Sequence, residues 1–161
     1  MPIVWRLTRP EFADKLDGEG ARLFGGRWNS RRRSAVYTSS HLSLSVLEAY
    51  VHIPPELRDA LPVMQAVQIS IPDDVRVARV SEEQLVDLMA RADPLAACRA
   101  TGDSWLDRNE ELVLEVPSIL VSVETNLILN PAHPRMIDVT IVSSRRFQFD
   151  ARLASAKSES P

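Results

Sequence analysis

The sequence predicts an α+β fold in a single domain. Two observations carry that expectation: segments with strand character outnumber those with helical character, and the two kinds do not alternate in the strict order of a parallel α/β sheet. A third is size. The chain has 161 residues, 45% of them hydrophobic and 25% charged, which is enough for one real core and ordinary for a globular domain. The expected domain covers residues 1–153, and residues 154–161, where the apolar pattern is lost, form a disordered tail.

Ile3 to Thr8 reads as the first strand, with Arg6 inside it. Arg9 to Leu16 is a short helix or turn whose first turn suits Pro10. Asp17 to Asn29 holds four of the five glycines, a concentration expected where backbone bends sharply or lies against a ligand. Its spacing matches neither a Walker loop nor a dinucleotide fingerprint. Ala35 to Ser39 is the second strand, and a helix capped by Ser39 or Ser40 runs to His52, stopped by Pro54-Pro55. Val63 to Ile71 alternates as a half-buried strand, Pro72-Asp73-Asp74 turns, and Val75 to Val80 is a further strand. Ser81 and Gln84 have the form of a capping box at a helix start. Pro94 opens another helix toward Arg99, which Thr101-Gly102-Asp103 is expected to break. Leu112 to Val116 and Ile119 to Val123 read as strands interrupted by Pro117. Thr125 to Pro131 reads as a strand end or turn, and Met136 to Val142 and Arg145 to Phe149 as the last strands.

Charge and cysteine count remove several function classes. A net charge of −3 is wrong for a general nucleic-acid binder. One cysteine, Cys98, allows neither an intrachain disulfide nor a thiolate cluster, and it reads as a small buried hydrophobe. The three histidines lack metal-ligand spacing, so no metal site is expected. No apolar run is long enough to span a bilayer and the N-terminus lacks a signal-peptide layout, so the expected location is the cytoplasm.

The informative stretch is Gly25 to His52. Arg27 follows Gly25-Gly26, which pairs close backbone approach with the side chain best suited to a bidentate grip on phosphate or carboxylate. Leu44, Leu47, Glu48 and Val51 fall on one helical face, so Glu48 stands on an otherwise apolar stripe. Two readings stand. Glu48 lies at the edge of the stripe, paired with an arginine, or it faces a polar cleft whose other wall carries Arg27. Arg31-Arg32-Arg33 is a solvated loop or a patch for phosphate or an acidic partner.

These residues, with several later ones, resemble the RES domain family, the toxin half of bacterial toxin–antitoxin pairs. The resemblance runs over nearly the whole chain. It rests on Trp5-Arg6, Gly20-Ala21, Gly25-Gly26-Arg27-Trp28-Asn29, Val36-Tyr37-Thr38-Ser39 with Glu48, Gly102-Asp103-Ser104-Trp105-Leu106, Val116-Pro117-Ser118, Asn126-Leu127-Ile128-Leu129-Asn130-Pro131, and Phe147 through Leu153. One departure is the turn after Arg-Trp-Asn, where the family often has glycine or proline and this chain has Ser30-Arg31-Arg32-Arg33-Ser34.

The resemblance implies an ADP-ribosyltransferase-like fold of the diphtheria-toxin type and depletion of NAD by cleavage of the nicotinamide–ribose bond. NAD is then a substrate, and no cofactor is expected. It carries the family's arginine, tyrosine, glutamate and serine to Arg27, Tyr37, Glu48 and Ser118 as catalytic residues. Arg6, Gly26 and Asn126 join Arg27 and Tyr37 as NAD-contacting positions. The implied partner is a cognate Xre-type DNA-binding antitoxin that blocks the active site, with a homodimer or higher hetero-oligomer as the assembly.

The residue types suit that chemistry. Nicotinamide leaves as a neutral base from a cationic centre, so no acid is needed, and a fixed carboxylate stabilises the oxocarbenium-like charge on ribose or holds its hydroxyls. Arg27 suits the pyrophosphate. Tyr37 can stack on nicotinamide or hydrogen-bond to ribose, and Ser118 can orient Glu48 or bind ribose or carboxamide. Each also has a plain structural role: Arg27 as ion-pair partner of Glu48, Tyr37 as core, Ser118 as a turn residue. Three other functions compete: transfer of ADP-ribose to a protein or nucleic acid, a catalytically silent binding module, and an RNA-cleaving toxin using Arg31-Arg32-Arg33.

Overall fold

A computed structural model describes residues 2–155. Its centre is one mixed sheet of seven strands: β1 Ile3–Thr8, β2 Val36–Ser39, β3 Val63–Ser70, β4 Val77–Arg79, β5 Val113–Pro117, β6 Thr125–Leu129 and β7 Thr140–Gln148. Their order is β4-β5-β6-β2-β1-β3-β7, antiparallel throughout except for the parallel pair β4–β5. Four helices complete the domain: α1 Glu19–Phe24, α2 Leu42–Val51, α3 Glu82–Met89 and α4 Pro94–Arg108. The expected α+β class holds. The six residues 156–161, most of the expected tail, lie outside the described residues.

Strand alternation gives the sheet two unlike faces. Residues directly opposite across an antiparallel pair share a face. Val4, Val36, Val67, Ile69, Val113 and Leu129 fall on one face and pack with Ala13, Leu112 and Val139. The other face carries Leu114, Val116 and Ile128, which pack with Trp28, Leu85, Cys98 and Trp105 beneath α3 and α4. α2 lies over β1 beside this second core, where Leu44 is buried and Ser45 donates to the Trp5 carbonyl at 2.8 Å. Between α2 and the α3–α4 pair, the second face presents Tyr37, Ser39 and Asn126.

Local chemistry accounts for most element ends. The Ser81–Gln84 capping box forms as expected, with both reciprocal hydrogen bonds. Asp93 caps α4 and Pro94 occupies its first turn. The α2 cap differs from expectation. Helix α2 starts at Leu42 after His41, without a side-chain cap, because Ser39 is still strand and its hydroxyl is drawn to Asn126.

Other departures have physical causes. Glycine-rich Asp17–Asn29 contains α1, because Gly18 takes φ +69° ahead of it and Gly25 takes φ +70° after it, so two glycines bound a helix. α4 runs unbroken through Gly102. A methyl group there would overlap the Trp28 carbonyl oxygen, so this glycine lets the helix sit against backbone and does not end it. Ile119–Val123 is a turn, closed by Glu124 N–H on the Val121 carbonyl and Ser118 N–H on the Glu124 carbonyl. The following Thr125–Leu129 is a full strand between β5 and β2. Met136 to Val142 divides into a 3-10 turn, Pro134–Asp138, and the start of β7, which continues without a break through Phe147.

Candidate active site

Glu48 occupies the rim of the second face. The helix line that enters the core runs through Leu44 and Ser45, so Glu48 follows them at the edge, while Leu47 and Val51 stay 37% and 40% exposed. The expected apolar stripe is therefore half open, because only one side of α2 is covered by the sheet. No ion pair joins Glu48 to an arginine among the described residues; instead its Oε1 accepts two neutral hydrogen bonds. Ser118 Oγ donates at 3.0 Å and Asn126 Nδ2 at 2.6 Å. Oε2 has no partner among the described residues and is open to solvent.

Both donors are held in place. Ser118, directly after β5, is buried, and its Oγ accepts from Leu120 N–H and Val121 N–H at 3.1 Å each. With both lone pairs taken, its one proton goes to Glu48. Asn126 lies in β6, opposite Val116 on one side and Ser39 on the other.

Arg27 sits on the other wall. Its loop is bound to α4 at three points: Arg99 Nε donates to the Gly26 carbonyl at 2.8 Å, Asp103 accepts from Ser30 N–H and Oγ at 2.9 and 2.6 Å, and Gly102 seats against Trp28. Asn29, fully buried, adds bonds from Nδ2 to the carbonyls of Ala21, Ser30 and Arg33. The Arg27 guanidinium lies 3.9 Å from Met89 Sδ and beside the Cys98 thiol, whose pKa burial pushes up while Arg27 pulls it down. Among the described residues it forms no ion pair, so its charge is uncommitted.

Tyr37 joins the two walls through its own strand. Its hydroxyl donates to Asn29 Oδ1 at 2.7 Å and accepts from Trp28 N–H at 3.0 Å, and burial pushes the phenol well above its ordinary range. The hydroxyl's proton is thus committed inside the protein, and the half-buried ring packs against the second core. Gly26 is required beside it, since a Cβ there would stand 2.5 Å from the Tyr37 oxygen. Ser39 comes two residues later on the same face of β2, about 7 Å along the strand, and reaches the Glu48 side through Asn126.

The remaining expected positions divide. Arg6 falls on the opposite face of the sheet, in register with Val67, and its Nη1 donates to the Phe12 and Lys15 carbonyls at 3.3 and 2.9 Å. Its visible task is to hold the Pro10–Phe12 turn against β1, away from Tyr37, Ser39 and Asn126. Arg31-Arg32-Arg33 is mostly a folded loop edge: Arg33 pairs with Asp107 and Asp103, and Arg32 N–H bonds to the Arg22 carbonyl. Arg32 takes φ +75°, the left-handed conformation that glycine adopts without strain, in the turn where glycine or proline is the expected residue type. Asn29, Arg99, Asp103 and Ser39 are the supporting residues that motif reading passed over. Asp103 sits in a quoted motif, and Asn29 follows Trp28 in another. A groove of about 490 Å³ opens elsewhere, between β4, α3 and α4, and contains none of these residues. Among the described residues no group of three or more His, Cys, Asp or Glu is placed to hold a metal ion.

The RES domain family model matches residues 3–150. The chain belongs to the RES domain family. It is 34% identical over 155 residues to the Prs ADP-ribosylating toxin of Sphingobium sp., covering 92% of this chain and 94% of that protein. It is 32% identical over 157 residues to Toxin Res of Photorhabdus laumondii, covering 96% and 99%. In fold it is similar to a chain of the Mycobacterium tuberculosis MbcT–MbcA toxin–antitoxin complex, with a TM-score of 0.69 at 20% identity, over 90% of this chain and 83% of that one. Within this RES domain, Glu48 is bonded to Ser118 and Asn126, and Arg27 lies in the loop that the Tyr37 hydroxyl holds.

Proposed function

We propose that this RES domain is the toxin of a toxin–antitoxin pair and depletes NAD by cleaving its nicotinamide–ribose bond. The observation that carries the reading is Glu48: a carboxylate with one oxygen fixed by two donors and the other open, across from an arginine with no ion-pair partner among the described residues. Nicotinamide is a good leaving group, so the barrier lies in the positive charge that develops at the ribose C1′. A preorganised carboxylate stabilises that charge most where water is partly excluded. Glu48 Oε2 is the atom for this role, toward C1′ or a ribose hydroxyl. Arg27 grips the pyrophosphate, with Gly26 allowing close approach, and the Tyr37 ring supports the nicotinamide end. Ser118 donates its proton to Glu48 and accepts from two backbone N–H groups, so its role is to orient the carboxylate.

The acceptor is water or phosphate. The name of the Sphingobium relative favours a second reading, in which ADP-ribose passes to a macromolecule. The cytoplasm is the compartment that supplies NAD. The partner is a DNA-binding antitoxin of the Xre type that covers the pocket. Support for that contact comes from the similarity to a toxin–antitoxin complex and from the apolar side chains exposed beside Glu48: Leu47, Val51, Ile119, Leu120 and Val123.

The test is NAD turnover by the purified, antitoxin-free chain with and without phosphate, read by product analysis. Free ADP-ribose with nicotinamide supports hydrolysis, and a phosphorylated ADP-ribose supports phosphorolysis. Label from NAD appearing on protein or nucleic acid, without free product, favours transfer. A folded protein that leaves NAD intact contradicts the proposal.

A further inference from the structure

We propose that Ser39 is a positioning residue for Glu48, acting through the side-chain amide of Asn126; the inference rests on the role given to Glu48 above. Ser39 Oγ stands 2.7 Å from Asn126 Oδ1, and Asn126 Nδ2 stands 2.6 Å from Glu48 Oε1. The direction of this chain is set by charge. A carboxylate oxygen accepts only, so the amide must present its NH2 to Glu48, and its carbonyl then faces Ser39, whose hydroxyl must donate. With the amide turned over, two oxygens would meet at the Glu48 contact. Glu48 sets the orientation of the amide, and the Ser39 hydroxyl, by donating to Oδ1, holds the amide in that place.

The surrounding register makes the arrangement rigid. Ser39 is opposite Asn126 on one side and Trp5 on the other. The Trp5 carbonyl accepts from Ser45 Oγ, three residues before Glu48 on α2. The helix and the carboxylate are therefore anchored to the same line across β1, β2 and β6, with buried Ser39 at its middle. Asn126, expected to contact NAD, has one amide hydrogen committed to Glu48. The relay leaves Glu48 with two donors on Oε1, so Oε2 is aimed at the substrate.

The experiment is a double-mutant cycle on kcat with Ser39→Ala, Asn126→Ala and the double variant, with KM for NAD and thermal midpoint measured for each. Ser39→Ala lowers kcat about tenfold, equivalent to one hydrogen bond's worth of orientation, with KM within about twofold. Ser39→Thr, which keeps the hydroxyl, recovers most of the rate. The double variant is no slower than Asn126→Ala alone, as expected for residues acting in series. Losses that multiply, or a rate unchanged in Ser39→Ala, overturn the proposal. A readout independent of turnover is the Asn126 side-chain amide in 1H–15N spectra. In the native chain its hydrogens exchange slowly as a resolved pair, and in Ser39→Ala that protection is lost while other amides stay in place. If the native chain leaves NAD intact, the functional reading fails, and the amide signal alone decides the relay: protection equal in both proteins overturns it.

Discussion

The Ser118 hydroxyl has only one use for its proton, and that use is Glu48. Two backbone N–H groups, from Leu120 and Val121, occupy its lone pairs, and Glu48 Oε1 lies 3.0 Å away. Ser118→Ala removes a donor from the carboxylate and leaves the two N–H groups without their acceptor. The expected result is a fall in kcat of about tenfold or more and a loss of roughly 1–3 kcal/mol in stability. Steady-state kinetics with chemical denaturation checks both. Full activity in a folded Ser118→Ala variant contradicts the positioning role.

Arg27 tests the other wall. The account gives it a planar, bidentate grip on the pyrophosphate, which lysine cannot copy. Arg27→Lys is expected to raise KM for NAD about tenfold and to leave the thermal midpoint nearly unchanged, because no ion pair is lost among the described residues. A lysine variant with native KM shows that Arg27 does not hold the substrate.

Tyr37→Phe separates the ring from the hydroxyl. The ring stays, while Trp28 N–H loses its acceptor and Asn29 Oδ1 its donor. Expected are a stability loss of roughly 1–3 kcal/mol and a rise in KM as the Arg27 loop loosens. A variant as stable as the native chain shows that the hydroxyl does not tie the loop.

The glycines make opposite predictions. Gly102→Ala drives a methyl group into Trp28 and is expected to cost about 3 kcal/mol, lowering the thermal midpoint by roughly 10 °C. Gly20 has nothing within 4 Å of an added Cβ and lies inside α1, so Gly20→Ala is expected to stabilise by about 0.5 kcal/mol. Calorimetry on the two variants checks the contrast. Equal effects contradict the reading of Gly102 as a contact point between α4 and the Arg27 loop.

What the sequence made legible was set by local signals. β1, β2 and β3 have runs of β-branched and apolar residues, and Ser81–Gln84 carries its cap in its own spelling. Glu48 and Ser118 stood out as a carboxylate on an apolar stripe and a serine after a strand-ending proline. The misses depended on tertiary contacts. Gly102 reads as a helix breaker until Trp28 is seen to need its space, and Ile119–Val123 has strand residues but is closed into a turn by Ser118 and Glu124. Ser39 looked like a helix cap because serine caps often; its hydroxyl instead serves Asn126, 87 residues away. Arg6 shares a motif with Trp5, yet alternation along β1 turns the two side chains to opposite faces.

The most direct test of the central claim is nicotinamide release by Glu48→Gln beside the native chain, with thermal midpoints recorded for both. Glutamine keeps the shape and removes the charge. The account predicts that the native chain releases nicotinamide from NAD and that Glu48→Gln, equally folded, is slower by about 100-fold or more. Release at the native rate from Glu48→Gln would contradict the assignment of the carboxylate to charge stabilisation, and with it the account of this site.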